Sequence, residues 1–234
     1  MTRRRAVLAL FAALAAPAAC YQAKPGHEAT QDQGPPNPAA AALSTSDPRP
    51  GPLVVFLGDS LTAGYQLGEA QAFPSLVAGA LRQEGIPVRI VNAGVSGDTS
   101  AGGLRRLEWL LGQKPDVLVV ALGANDGLRG QPLPEIERNL RSIAEKAKGA
   151  GARVLLVGMR MPTSYGPKYA EGFARIYKRL HRDLDVPLMP FLLDGVAGRP
   201  DLNLPDGIHP NARGQEIVAA NVLRYLRPLL GPKG

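Results

Sequence analysis

Cysteine is almost missing from this 234-residue chain: there is one, Cys20. That excludes an internal disulfide framework and any thiolate metal cluster. Histidine is scarce as well, so an imidazole base can only be His27, His181 or His209. No His/Glu metal motif occurs, which argues against a metal site. Beyond residue 50 no basic run is longer than Arg105-Arg106, so the net charge of +7 is scattered. A solvated basic surface accounts for it, and a nucleic-acid partner is not expected. Weak attraction to anionic lipid headgroups stays compatible. No Gly-x-x-x-x-Gly-Lys phosphate loop is present. The Gly-x-Ser-x-Gly elbow of α/β-hydrolases is absent too, because Ser60 has Asp59 before it and Thr62 two places on. Gly149-Ala150-Gly151 precedes an apolar run rather than following one and lacks a third glycine, so it is no dinucleotide site. No internal repeat is visible, which excludes a solenoid or propeller.

What is there divides into three. Residues 1–20 read as an export signal: Arg3-Arg4-Arg5, an apolar run over 6–16, then Pro17-Ala18-Ala19-Cys20. The run is too short to span a bilayer as a helix. Two endings stay open. Ala16-Pro17-Ala18 fits cleavage to a soluble exported protein, and Pro17-Ala18-Ala19-Cys20 resembles a lipobox that would anchor Cys20 to a membrane. Both imply the periplasm or envelope of a bacterium. Residues 21–50 carry six prolines and few large apolar side chains, so they read as a linker that cannot offset its ordering entropy. Residues 51–234 read as the folded domain, in a chain that is 45% hydrophobic and 20% charged.

In that domain, short apolar runs at 53–57, 88–91, 117–122, 154–157 and 187–189 alternate with helical spacing at 70–84, 100–111, 133–148, 167–184 and about 211–226. The runs are unbroken, so both faces are covered. This is an α/β pattern: a five-stranded parallel sheet between two helical layers. In such sheets ligands sit beyond the carboxyl ends of the strands. Four segments fall there: Gly58-Asp59-Ser60-Leu61, Ser96-Gly97-Asp98-Thr99-Ser100, Gly123-Ala124-Asn125-Asp126 and Asp206-Gly207-Ile208-His209.

Together they bring a hydroxyl, flexible turns, an amide and a carboxylate–imidazole pair, which are the parts for acyl transfer. Ser60 is the candidate nucleophile and His209 its candidate base, since an ordinary imidazole titrates near ~6.5. Asp206 lies three residues before His209, close enough to hold the far ring nitrogen. His27 lies in the linker, and His181 sits among Lys178, Arg179 and Arg182 on a polar face. The N–H groups of Ser60 and Gly97 and the Asn125 amide are candidate oxyanion donors. Gly94 rivals Gly97 for that place. Each segment alone is a common turn; the order of all four is what carries specificity.

That order resembles the SGNH (GDSL) hydrolase family over residues 52–228. The likeness is nearest to its bacterial multifunctional esterases, of the acyl-CoA thioesterase I, lysophospholipase L1 and arylesterase type. The resemblance implies a flavodoxin-like three-layer α/β/α sandwich and hydrolysis of small-molecule or lipid esters and thioesters without metal or cofactor. It implies Ser60, Asp206 and His209 as triad and Ser60, Gly97 and Asn125 as oxyanion hole. Ala124 departs from the glycine often found there, and the long leader is a second departure. The segment Met159–Tyr169 after the fourth strand, which contains Pro162, reads as a moving wall for an acyl chain lined by Met159, Met161 and Tyr165, with core packing the equal alternative for the two methionines. Leu128 and Pro162 are candidate substrate contacts with Tyr165, as is Asp59, whose nearer role is to organise the nucleophile loop. A carbohydrate-ester deacetylase and a non-catalytic lipid-binding envelope module are the competing readings. With His209 as base, the rate is expected to rise through about pH 6–7 and then level off.

Overall fold

The computed structural model describes residues 51–231. The signal, linker and Cys20 readings at 1–50 lie outside them. The sheet contains β1 (Leu53–Gly58), β2 (Arg89–Gly94), β3 (Val117–Ala121), β4 (Arg153–Val157) and β5 (Leu188–Met189). All pairings are parallel, in the order β2-β1-β3-β4-β5. That is the flavodoxin-like order, whose switch point lies between β1 and β3.

β1 and β3 are buried at every residue, so sequence and sheet position agree. β2 departs from the expected two-faced burial. It is an edge strand, so Val91 and Ala93 are buried while Arg89 is exposed. It also runs three residues further than its apolar run, because Asn92, Ala93 and Gly94 continue the ladder opposite Phe56, Leu57 and Gly58.

The helices are α1 (Ser60–Ala63), α2 (Phe73–Gln83), α3 (Ser100–Leu111), α4 (Ala124–Leu128), α5 (Leu133–Gly149), α6 (Pro167–Leu184) and α7 (Ala212–Leu226). α2 starts later than the spacing suggests, after a separate 3₁₀ turn at Glu69–Gln71, with Pro74 in its first turn. α2 packs on α7, while α3 packs on α5 and α5 on α6, giving a helical layer on each side of the sheet. α5 buries Ile136, Leu140, Ile143, Ala144 and Ala147, the helical stripe that its polar remainder leaves to the core. No helix among the described residues is long and apolar enough to cross a membrane.

Register is what positions the site. Gly58 at the end of β1 lies opposite Gly94 in β2 and Ala121 in β3. The three loops that follow therefore leave the sheet at one level, on its carboxyl edge.

Candidate active site

The loop that carries Ser60 is fixed by its own caps. Asp59 is in extended backbone and its Oδ1 accepts the Leu61 N–H at 3.0 Å, which starts α1. Gly64 ends the helix at φ +75°, a conformation that glycine adopts without steric cost. Ser60 is thus the first helical residue, with no carbonyl four places back in α1 to receive its N–H.

His209 arrives from far away. After β5 a hairpin-like loop carries it, closed by a bridge between Asn203 and Pro210 and by the Leu204 N–H donating to the His209 carbonyl at 2.7 Å. Asn211 then caps α7 by accepting the Gly214 N–H. The imidazole Nε2 comes to 2.8 Å from Ser60 Oγ, across 149 residues of chain. Its Nδ1 lies 2.8 Å from Asp206 Oδ2. Asp206 Oδ1 accepts the N–H groups of Ile208 and His209 at 2.8 and 3.0 Å.

The Asp206 carboxyl is held down at about 2, first by the His209 backbone N–H, then by the Ile208 N–H and the imidazole, against the opposing pull of burial. An ionised carboxylate only accepts, so the ring proton resides on Nδ1. Nε2 is left with its lone pair toward the Ser60 hydroxyl. Tyr65 lies against the imidazole with ring centres 4.4 Å apart and the planes tilted by 34°.

The candidate donor groups lie on the neighbouring loops. Asn125 sits on α4, a short helix where the sequence suggested only a turn. Its Nδ2 donates to the Asp98 carbonyl at 2.9 Å and lies 3.4 Å from Asp59 Oδ2. Gly97 adopts φ +79°. Among the described residues neither the Ser60 nor the Gly97 N–H donates to another group. Gly94 is different: its N–H is taken by Asn92 Oδ1 at 3.0 Å, and a Cβ there would lie 2.3 Å from the Ala63 nitrogen. It serves the close approach of β2 to α1 and has no free donor.

A cleft of about 400 Å³ opens over these groups. Ser60, Gly97, Asn125 and His209 reach it, and Leu61, Tyr65, Leu128, Met159, Met161, Pro162, Phe191, Leu193 and Ile208 give it an apolar wall. Leu128 and Pro162 line it as expected substrate contacts would. Asp59 touches its floor, but the side chain is 2% exposed and both oxygens face partners inside the protein, which suits loop organisation and not substrate contact. Burial raises the Asp59 carboxyl to about 7. Tyr165 stands outside the lining; its hydroxyl donates to the Leu128 carbonyl at 3.2 Å and braces the end of α4. His181 is exposed on α6, with Nδ1 2.6 Å from the Val186 carbonyl. Among the described residues no three His, Cys, Asp or Glu side chains are grouped to hold a metal ion.

A sequence profile of the GDSL-like lipase/acylhydrolase family matches residues 56–217. The chain belongs to that family. It is 44% identical over 178 residues to esterase TesA of Pseudomonas aeruginosa, covering 76% of this chain and 89% of that protein. It is 42% identical to thioesterase 1/protease 1/lysophospholipase L1 of Escherichia coli K12, over 76% of this chain and 84% of the relative. A crystal structure of TesA superposes with a TM-score of 0.74, covering 76% of this chain and 99% of the solved one. As a GDSL-like acylhydrolase the chain is a carboxylic ester hydrolase with the three-layer fold of its relatives.

Several residues shape this GDSL-family site through contacts that the sequence does not assign to them. Asp126 accepts the Ser100 N–H and hydroxyl at 2.8 and 2.6 Å, tying α4 to the start of α3. Gln215, buried on α7, accepts the Phe73 N–H and donates to the Leu61 carbonyl, tying α7 to the helix that Ser60 opens. Arg106 binds the end of β1 and the loop after β2 at once. Each acts on a neighbour at least 26 residues away in sequence, except for the Arg106 bond to Asp98, and local spacing cannot reveal such a partner.

Proposed function

We propose that the chain hydrolyses carboxylic esters and thioesters through an acyl-enzyme on Ser60. His209 Nε2 takes the hydroxyl proton as Ser60 Oγ bonds to the substrate carbonyl carbon. The carbonyl electron pair moves to oxygen, which the Ser60 and Gly97 N–H groups and the Asn125 amide receive. The imidazolium, steadied by Asp206, returns its proton to the leaving alcohol or thiol as that bond breaks. Water, deprotonated by the same nitrogen, then cleaves the acyl-enzyme and frees Ser60. The observation that carries this reading is the pair of 2.8 Å contacts running Ser60–His209–Asp206.

The substrates we propose are esters with a medium or long acyl chain, lysophospholipids and acyl thioesters among them. The apolar cleft wall supports this over the short polar pocket that a carbohydrate-ester deacetylase would use. The test is Ser60→Ala. Turnover of p-nitrophenyl butyrate should fall at least about 10⁴-fold, and fluorophosphonate labelling should vanish. Turnover that persists in the variant removes Ser60 from the chemistry. Export to the periplasm or envelope, with cleavage near residue 18 or lipidation at Cys20, is proposed from residues 1–20 alone. Mass spectrometry of the mature N-terminus distinguishes the two endings.

A further inference from the structure

Arg106 lies on α3, outside the Ser60–His209–Asp206 line, yet it reaches the end of β1, which leads to Ser60, and the loop after β2, which carries Gly97. Its Nε donates to Asp98 Oδ2 at 2.8 Å, and its Nη2 donates to the Gly58 carbonyl at 3.0 Å. Gly58 is two residues before Ser60. Asp98 follows Gly97, and its own carbonyl holds the Asn125 amide at 2.9 Å. One planar fork therefore joins the end of β1 to the loop after β2, and Asp98 passes the constraint to the short helix after β3. The pair is largely sheltered, with side chains 20% and 10% exposed, so its bonds are charge-assisted and poorly screened.

α3 is built to admit it. Gly102 sits one turn before Arg106, and a Cβ there would lie 1.7 Å from Asp98 Oδ1. Glycine inside a helix costs about 1 kcal/mol against alanine. Here it makes room for the Asp98 carboxylate, whose Oδ1 also accepts the Thr99 N–H at the start of the helix.

We propose that Arg106 is a positioning residue that, through Asp98, sets where the Asn125 amide stands relative to the Gly97 and Ser60 N–H groups around the reacting carbonyl. This rests on the reading of those three groups as oxyanion donors. A displacement of about 1 Å in such a site can cost on the order of 10²-fold in rate. Lysine carries the charge but not the fork, so it reproduces only part of the geometry.

The experiment is a double-mutant cycle in the full chain with p-nitrophenyl butyrate. Arg106→Gln should lower kcat about 10- to 100-fold with KM changed less than about threefold, and Arg106→Lys should fall between it and the parent. Asn125→Ala alone should lower kcat by about 10²–10³. Added to Asn125→Ala, either Arg106 substitution should cost at least threefold less than it does alone, because the amide it aims is gone. The cycle runs with both Arg106 variants, with melting temperatures measured beside it, so that the answer does not hang on one variant folding. Arg106 effects that multiply in full on the Asn125→Ala background, or that appear in KM alone, overturn the positioning role and leave the donors standing. An Asn125→Ala variant with the parent kcat overturns the donor reading and the positioning role with it.

Discussion

Replacing Asp59 with asparagine should free the fold from a pH dependence that the parent chain cannot avoid. The Asp59 carboxyl is 2% exposed, and removing it from water raises it from 3.8 to about 7, against the Leu61 N–H that favours the charge. Asp98 and Asp126 add like-charge repulsion. In the unfolded chain the same group titrates near 3.8. Between 3.8 and about 7 the folded chain therefore holds a proton that the unfolded chain has lost. Stability falls as pH rises through that window and is flat on either side with respect to this group. A shift of roughly three units at 1.36 kcal/mol each gives a loss of about 4 kcal/mol.

Asparagine still accepts the Leu61 N–H as a cap and cannot ionise. Its amide would face Asn125 Nδ2, now 3.4 Å from Asp59 Oδ2, which is a cost that does not vary with pH. The decisive quantity is therefore how the difference between variant and parent changes with pH. Urea unfolding at pH 4 and pH 8 measures it. The variant should gain about 4 kcal/mol on the parent between those values, equivalent to roughly 10 °C in melting temperature for a domain of this size. A difference that stays constant within about 1 kcal/mol would refute the reasoning, since it would mean that Asp59 ionises as readily inside the fold as outside.

Two further outcomes follow from the candidate site. Gly97→Ala places a side chain at φ +79°, where strain costs about 1–2 kcal/mol, although the nearest atom to the new Cβ is Arg129 Nη2 at 3.9 Å. Its kcat should drop about tenfold or more while circular dichroism stays that of the parent, and an unchanged kcat would free the Gly97 N–H of any role. Asp206→Asn keeps an acceptor for the Ile208 and His209 N–H groups but no longer fixes the proton on Nδ1, so kcat should fall about 10³–10⁴-fold. Because the parent carboxylate stays ionised down to about pH 2, its own titration takes no part in any activity change between pH 5 and 8, which a pH–rate profile checks.

How much of this was legible in the sequence depends on the range over which each feature is encoded. β1 and β3 could be read directly, because central strands of a parallel sheet are covered on both faces and become continuous apolar runs. β2 is legible only as far as Val91, since an edge strand can continue through Asn92 without burying an unpartnered amide. The four chemistry-bearing segments were visible because caps and tight turns are written within a few residues, as at Asp59 and at Asp206–His209. What joins those segments is written elsewhere. Register brings Gly58, Gly94 and Ala121 to one level, and no local pattern states a register. Spacing alone leaves Gly94 and Gly97 as alternatives and the family resemblance favours Gly97; the structure adds a physical reason, since Asn92 holds the Gly94 N–H. Arg106 reads in the sequence as half of a surface dibasic pair, and its two contacts depend on α3 crossing behind two strand ends. The glycine pair Gly102-Gly103 was the one available hint. Two adjacent glycines inside a helix give up roughly 2 kcal/mol of propensity, a sacrifice that makes sense where the Asp98 carboxylate and the Leu122 side chain press against the helix. Glycine in a helix, where no turn requires it, therefore marks where the fold brings a loop close.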